Sequence, residues 1–364
     1  MKNTFGNSVS VTLFGESHGA AVGAVIDGLA PGIDVDTEFI SAQLSRRRPS
    51  GKTDTPRREN DNFQILSGVF NGKTTGTPIT IVIPNENTKS GDYNYGVARP
   101  SHADYTAYMK YHGYEDYRGG GHFSGRITAA LVAAGAIAIS ALKKHGIYIG
   151  THIYACGGVS DTRFEQVSSL EDAILSLQDK EFPVISDSAE DEICAKILNA
   201  SKNRDSIGGI VETAITGVPA GVGEPWFDSV EGMLSHALFS IGGIKGVNFG
   251  AGMAITGLMG SVANDEFRYE NGKAVTTTNN SGGINGGITN GMPIIFNCAV
   301  KPTPSIAKEQ ETINFITKEN TTIEIKGRHD PAIIRRICPV IDSMCALVIC
   351  DLLAQRFGTD YLKK

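Results

Sequence analysis

The 364-residue sequence has no C-x-x-C pair: Cys156, Cys194, Cys298, Cys338, Cys345 and Cys350 stand apart. Neither a zinc ribbon nor a disulfide framework is expected, and a reducing cytoplasm fits best. No metal site is expected either, because no histidine, cysteine or acidic cluster stands at ligand spacing. Basic charge is not in excess. With 33 Lys and Arg against 39 Asp and Glu, the net charge of -6 argues against a polyanion-binding protein, so no nucleic-acid partner is expected. Residues 1 to 20 lack an apolar core, which excludes an ordinary secretory signal. The most apolar stretch, Ile127 to Leu142, falls short of the roughly 20 residues that a bilayer span requires, so it reads as a buried core helix and no membrane partner is expected. No segment has the composition of a linker and no short repeat is evident, so residues 1–364 are expected to form a single α+β domain.

Glycine, by contrast, is plentiful. The chain has 43 of them, well above the usual share of about 7%, clustered at Gly119 to Gly121, Gly242-Gly243, Gly282-Gly283 and Gly286-Gly287. There the backbone either turns or approaches something closely. Ser8 to Phe14 and Gly23 to Ile26 read as a strand hairpin with a polar tip. Asp36 can cap a helix that carries Arg46, Arg47 and Arg48 to its C-terminal end, where Pro49 stops it. Residues 49–62 and 84–122 read as long ordered loops, which in a compact enzyme usually serve function. A helix from Ser124 to Lys144 is apolar on all sides and should be central. Capping boxes at Ser169 with Asp172 and Ser188 with Asp191 open two more helices, and a third covers Val230 to Phe239. Strand-like runs lie at Ile210 to Thr216, Val247 to Thr256 and Ile294 to Val300.

Several polar motifs could carry chemistry, and each has a plainer reading beside it. Gly15-Glu16-Ser17-His18-Gly19 exposes an imidazole suited to proton transfer near neutrality, or a simple turn histidine. In Arg99-Pro100-Ser101-His102-Ala103-Asp104, Asp104 could orient a protonated His102, or the segment is an Asx-type turn. Gly119 to Arg126 gathers backbone N–H groups, the Ser124 hydroxyl and the Arg126 guanidinium at a helix start, which makes an anion site or a structural cap. It matches neither a P-loop nor a dinucleotide fingerprint. Arg46 to Arg48, with Arg57 and Arg58, could grip a small phosphate- and carboxylate-bearing substrate, or form a solvated face. Lys301-Pro302-Thr303-Pro304-Ser305 holds three polar side chains in an extended loop or merely ends a strand. In Gly327-Arg328-His329-Asp330-Pro331, Asp330 is either catalytic or the N-cap of a helix with Pro331 in its favoured first position.

Taken in order, G-E-S-H-G with V-I-D-G-L-A-P-G, R-R-R-P, L-S-G-V-F-N-G-K-T-T-G-T-P-I, S-G-D-Y, R-P-S-H-A-D-Y-T, R-G-G-G-H-F-S-G-R, K-P-T-P-S and G-R-H-D-P resemble the chorismate synthase family from about residue 5 to residue 355. The resemblance implies a single-domain β-α-β sandwich with a buried helical layer between two antiparallel sheets, assembled as a homotetramer. It also implies conversion of 5-enolpyruvylshikimate 3-phosphate to chorismate by 1,4-anti elimination, with reduced FMN required although nothing is oxidised overall. By the same resemblance, His18 protonates the departing phosphate, His102 sets the protonation of reduced flavin, and Ser17, Ser124 and Asp330 relay a proton near flavin N5. Arg47, Arg126 and Arg328, with Arg99, would bind substrate. Flavin contacts would fall at His122, Phe123, Ser124, Gly242, Gly243, Gly286, Lys301 to Ser305 and Arg328. The chain departs from the family pattern where His122 to Thr128 replaces R-S-S-A-R-E-T, at Thr53 where arginine is common, and at Asp342 where glutamate is usual. A flavin oxidoreductase on this scaffold and a phospholigand-binding protein without turnover are the alternatives. The set His18, His102 and Asp330 argues against the binding protein, and the missing nicotinamide motif argues against hydride transfer.

Overall fold

The computed structural model describes residues 2–55, 60–86, 95–325 and 329–363. It opens with β1 (Thr4–Phe5), β2 (Ser10–Gly15) and β3 (Ala21–Asp27), so the expected hairpin is present with a polar tip at residues 16–20. Asp36 caps α1 (Thr37–Arg47), its carboxylate accepting from the Glu38 and Phe39 N–H groups at 2.9 Å. The short strands β4 (Gln64–Ser67), β5 (Val69–Phe70) and β6 (Lys73–Thr74) lead to β7 (Ile79–Pro84). β7 alternates buried with half-buried residues, as a strand with one covered face must, and it completes an antiparallel sheet of order β1-β2-β3-β7-β4.

The region expected to be a long loop from residue 84 to 122 contains α2 (Asp104–Tyr111). Only Ala107 of this helix is buried, so it has no apolar stripe for a periodicity reading to detect. α3 (Thr128–Lys144) begins later than Ser124, because Ser124 first caps a short 3-10 turn at Gly125–Ile127. Gly146, with φ 71°, takes the left-handed position after the helix. There follow β8 (Tyr148–Cys156), β9 (Val159–Ser160), α4 (Leu170–Asp179) and α5 (Asp187–Lys202). Ser169 caps α4 through the Asp172 N–H. Ser188 does not cap α5: the helix already begins at Asp187, and the Ser188 hydroxyl pairs with that of Ser186 at 2.8 Å.

β10 (Gly209–Thr216), α6 (Val230–Phe239) and β11 (Ile244–Phe249) come next. The strand expected to reach Thr256 stops at Phe249, since Gly250 and Gly252 turn the chain with φ near 53° and 54°. α7 (Gly260–Ala263), the hairpin β12 (Phe267–Glu270) and β13 (Lys273–Thr276), and the hairpin β14 (Ile284–Asn285) and β15 (Ile288–Thr289) lead into β16 (Ile294–Val300). A second antiparallel sheet then has the order β11-β16-β10-β8-β9. The chain ends with the hairpin β17 (Glu309–Asn314) and β18 (Glu319–Glu324), and α8 (Ile334–Phe357).

The core is built on two apolar helices. α3 packs on β3 and β7 of the first sheet, α8 packs on β8 and β10 of the second, and the two helices pack on each other. At their crossing a Cβ on Gly135 would lie 2.2 Å from the Ser343 Cβ, so only glycine permits this approach. The α8 segment, with mean hydropathy 2.0 against 1.7 for Gly125–Lys144, is the more apolar of the two. Both are long and apolar enough to cross a membrane by length and composition, contrary to the expectation from Ile127 to Leu142 alone, yet they are 100% and 83% buried inside the protein.

One buried polar network fastens the second sheet. The His152 ring lies 3.1 Å from both Asp161 and Glu212, and Asp161 also accepts from the Ile185 and Ser186 N–H groups. Burial pushes the imidazole pKa down, but the Asp161 and Glu212 hydrogen bonds prevail and hold it above the ordinary 6.5. Asp161 is held below the usual carboxylate value, against burial, by His152 and the backbone donors. The His152 contribution is therefore full below about pH 6.5 and lost as pH rises through the raised value. The Asp161 contribution is present above about pH 4 and lost as pH falls through the lowered one. His152→Asn is expected to flatten the alkaline fall of the unfolding temperature relative to the parent chain, and equal alkaline slopes in both proteins would refute the assignment.

Candidate functional site

The polar tip between β2 and β3 lies along the glycine-rich segment that precedes α3. The Ser17 N–H donates to the Gly121 carbonyl at 3.0 Å, and His122 Nδ1 donates to the Gly15 carbonyl at 2.8 Å. A Cβ on Gly119 would sit 2.2 Å from the His18 ring and 2.8 Å from Ser17 Oγ, while one on Gly120 would sit 3.1 Å from His102. The two loop histidines thus rest on consecutive glycines, and both glycines have positive φ, at 61° and 80°. The glycine cluster is there for close approach as well as for turning. Ser17 is 1% exposed and its hydroxyl has no partner among the described residues. A buried hydroxyl of this kind is normally completed by water, an ion or a ligand.

His102 is oriented as its sequence neighbours suggest. Its Nδ1 lies 2.8 Å from Asp104 Oδ1, and the Arg99 guanidinium grips the same carboxylate through Nε at 2.8 Å and a terminal nitrogen at 2.7 Å. Burial raises the Asp104 pKa, but hydrogen bonds from Arg99 and His102 outweigh it and keep the carboxyl well below the usual range. Nδ1–H donation to Asp104 leaves Nε2 on the side of Gly120. The Lys301 ammonium donates to the Ser101 carbonyl at 2.6 Å, and the Lys301 N–H to the Gly243 carbonyl at 2.9 Å. This joins the loop after β16 and the Gly242-Gly243 turn to the His102 loop. Burial, with Lys245 nearby, lowers the Lys301 pKa. Beyond it, Ser206 fastens the Thr303 carbonyl at 2.7 Å, Ser305 is buried, and the buried Thr303 hydroxyl is unpartnered among the described residues.

Arg47 and Arg126, both buried, meet at one carboxylate. Asp61 Oδ2 lies 3.3 Å from Arg47 and 3.6 Å from Arg48 Nε, and Oδ1 pairs with Arg126. Arg126 also donates to Asn85 Oδ1 at 2.9 Å and to the Pro84 carbonyl at 3.1 Å. Arg46 turns away to Asp342 at 3.2 Å inside the core, where burial raises the Asp342 pKa. Neither Asp61 nor Asn85 was singled out in the sequence. The available hint is a carboxylate in a loop close after an arginine run, where paired charges are needed once the arginines are buried.

Other expected residues fall as follows. Asp330 does not cap α8, which starts at Ile334. Its Oδ1 instead accepts the Thr55 N–H at 3.1 Å and its Oδ2 pairs with Arg336, so a guanidinium and a loop amide have taken the carboxylate that a cap would use. Arg336 also donates to the Arg47 carbonyl at 2.9 Å, which places Asp330 beside the end of α1. Ser124 acts locally as a cap through the Arg126 N–H at 3.3 Å, and Phe123 is exposed beside Tyr111. Pro302 and Pro304 keep the loop extended beyond Lys301. Gly286 is the tip of the β14–β15 hairpin and adjoins the start of α6, where the Val230 N–H donates to Gly287. Gly242-Gly243 follows the other end of that helix, about 15 Å away by its rise per residue. Arg57, Arg58 and Arg328 lie outside the described residues.

Comparison with known proteins agrees with these motifs. The family model described as chorismate synthase matches residues 9–354. The chain is 46% identical over 352 residues to the chorismate synthase of Methanocella arvoryzae, covering 96% of this chain and 93% of that one. It is 46% identical over 369 residues to that of Lachnoclostridium phytofermentans, covering 100% and 98%. A solved structure described as a chorismate synthase superposes with a TM-score of 0.77 at 28% identity, covering 97% of this chain and 94% of the other.

Proposed function

The chain belongs to the chorismate synthase family, and on that premise we propose that it converts 5-enolpyruvylshikimate 3-phosphate to chorismate and phosphate by 1,4-anti elimination with reduced FMN bound. The single observation that carries this reading is the placement of His18 and His102 against adjacent glycines, with the buried Arg126 at the end of the same segment. In the elimination one C–O bond breaks, a ring hydrogen leaves as a proton, and its electron pair becomes the new double bond. The change is redox neutral.

The residues present suit a flavin. The Ser17 and Thr303 hydroxyls are buried without partners among the described residues, and a Cβ on Gly125, Gly242 or Gly286 would meet nothing within 4 Å. His122, Phe123 and Ser124, Gly242-Gly243, Lys301 to Ser305 and Arg328 would hold it, with Gly286. Reduced FMN, when bound, supplies electron density to the allylic system and assists removal of the ring hydrogen. His18 gives its proton to the departing phosphate oxygen. His102, held by Asp104, holds a proton toward the cofactor, and Ser17, Ser124 and Asp330 form the relay. Arg47 and Arg126, with Arg99 and Arg328, bind the phosphate and carboxylates of the substrate.

The finer architecture belongs to the same proposal: a β-α-β sandwich in one domain, supported by α3 and α8 packing on each other and on opposite sheets. Assembly as a homotetramer is supported by the exposed Met253, Met259, Val262, Phe267 and Tyr269, and the mass in solution decides it. A cytoplasmic location is supported by six cysteines that are all free.

Anaerobic turnover with photoreduced FMN tests the reaction. Phosphate and chorismate should form in equal amounts with no stoichiometric consumption of reductant. One NADPH oxidised per chorismate formed would refute the lyase.

A further inference from the structure

The two arginines assigned to substrate are not independent of the acid that is assigned to the leaving group. We propose that Asp61 and Asn85 are positioning residues for the reaction, forming a brace that fixes the guanidiniums of Arg47 and Arg126 and the loop bearing Ser17 and His18 in one geometry. The proposal deepens the lyase reading and rests on it.

Asp61 stands at the centre. Its side chain has no exposure, and its two oxygens are divided between Arg126 on one side and Arg47 and Arg48 on the other. Burial opposes ionisation of this carboxyl, but Arg47 and Arg126 overcome it and hold the pKa below the usual value. The backbone at Asp61 has φ 51°, a left-handed conformation that aspartate and asparagine tolerate better than other side chains. The carboxylate is thus brought to the arginines by a backbone that restricts what else can stand there.

Asn85 carries the brace onward. Its Oδ1 accepts from Arg126 Nε at 2.9 Å, and its amide nitrogen donates to the Glu16 and Gly19 carbonyls, both at 2.9 Å. Those two carbonyls flank Ser17 and His18. Its backbone N–H also donates to the Ala20 carbonyl at 3.1 Å. A continuous chain therefore runs from Asp61 through Arg126 and Asn85 to the ends of the His18 loop. Neither Asp61 nor Asn85 donates or accepts a proton in the reaction; each acts through the groups it holds.

Removing the brace should separate rate from affinity. Asp61→Asn keeps size and backbone tolerance but removes the charge that orients the guanidiniums, which stay positive and still attract an anion. We expect kcat to fall at least about thirty-fold with KM for substrate within about three-fold, the pattern of lost geometry. Asn85→Ala leaves the buried charges balanced while it frees the loop and one hydrogen bond of Arg126, so kcat should fall about ten-fold with KM within about three-fold. Should Asp61→Asn not fold, Asn85→Ala decides. A third readout does not depend on turnover. The His18 imidazole resonance, assigned by its absence in His18→Ala, should shift in Asn85→Ala while inorganic phosphate binds within about three-fold of the parent by calorimetry. An inactive parent enzyme would refute the lyase reading, and the resonance would still test the brace. Folded variants with unaltered kcat, a loss carried by KM alone, or an unmoved His18 resonance would overturn the proposal.

Discussion

Replacing His18 by alanine is expected to slow phosphate release by about 10²-fold or more while fold and substrate affinity persist, because the departing oxygen loses its proton donor. His18 lies outside the hydrophobic core clusters, half-buried against Gly119, so its removal opens little apolar volume. His102→Ala should lower the rate by a similar factor of about 10² for a different reason. It leaves Asp104 still doubly bonded to Arg99, so the carboxylate is not stranded and stability should change little. The two variants separate by readout. His102→Ala should alter the absorbance of bound reduced flavin, whereas His18→Ala should leave that signal nearly normal and slow only phosphate formation in rapid quench. Turnover at the parent rate by either folded variant would make that histidine a turn residue.

What the sequence made legible follows its physical periodicity. The first hairpin, the Asp36 cap, α6 and the strand Ile294–Val300 were readable because alternation, capping residues and helical spacing are local properties. α2 was not, since a mostly exposed helix of polar and aromatic residues has no apolar face. The start of α8 was misplaced because Asp330 and Pro331 form a good local helix-start pattern, while a long-range contact to Arg336 and Thr55 uses the carboxylate instead. At the site, the motifs were visible one by one, and the glycine cluster could be recognised as unusual. That Gly119 and Gly120 would support two different histidines depends on contacts across about a hundred and about twenty positions of sequence, which no local pattern encodes. Asp61 and Asn85 were invisible for the same reason, being ordinary loop residues until the arginines they hold are buried.

The arginines carry the second large effect, on substrate affinity and on stability together. Arg126→Ala removes a charge-assisted contact to a desolvated anion, worth about 1.5 to 3 kcal/mol of substrate affinity. Because Arg126 is also a partner of Asp61, its removal leaves a fully buried carboxylate with Arg47 at 3.3 Å and Arg48 at 3.6 Å. The carboxylate keeps two guanidinium partners, so the cost should stay below the about 3 to 5 kcal/mol typical of a buried charge left wholly unpaired. Arg126→Ala and Arg47→Ala should each weaken substrate binding and lower the unfolding temperature only modestly, since each leaves Asp61 two guanidinium partners. Calorimetric titration with substrate and thermal unfolding on the same preparations read both quantities. Affinity at the parent level in folded Arg126→Ala would show that this guanidinium serves only as a counter-ion to Asp61, and the anion site would then have to be built from Arg47 and the remaining basic groups.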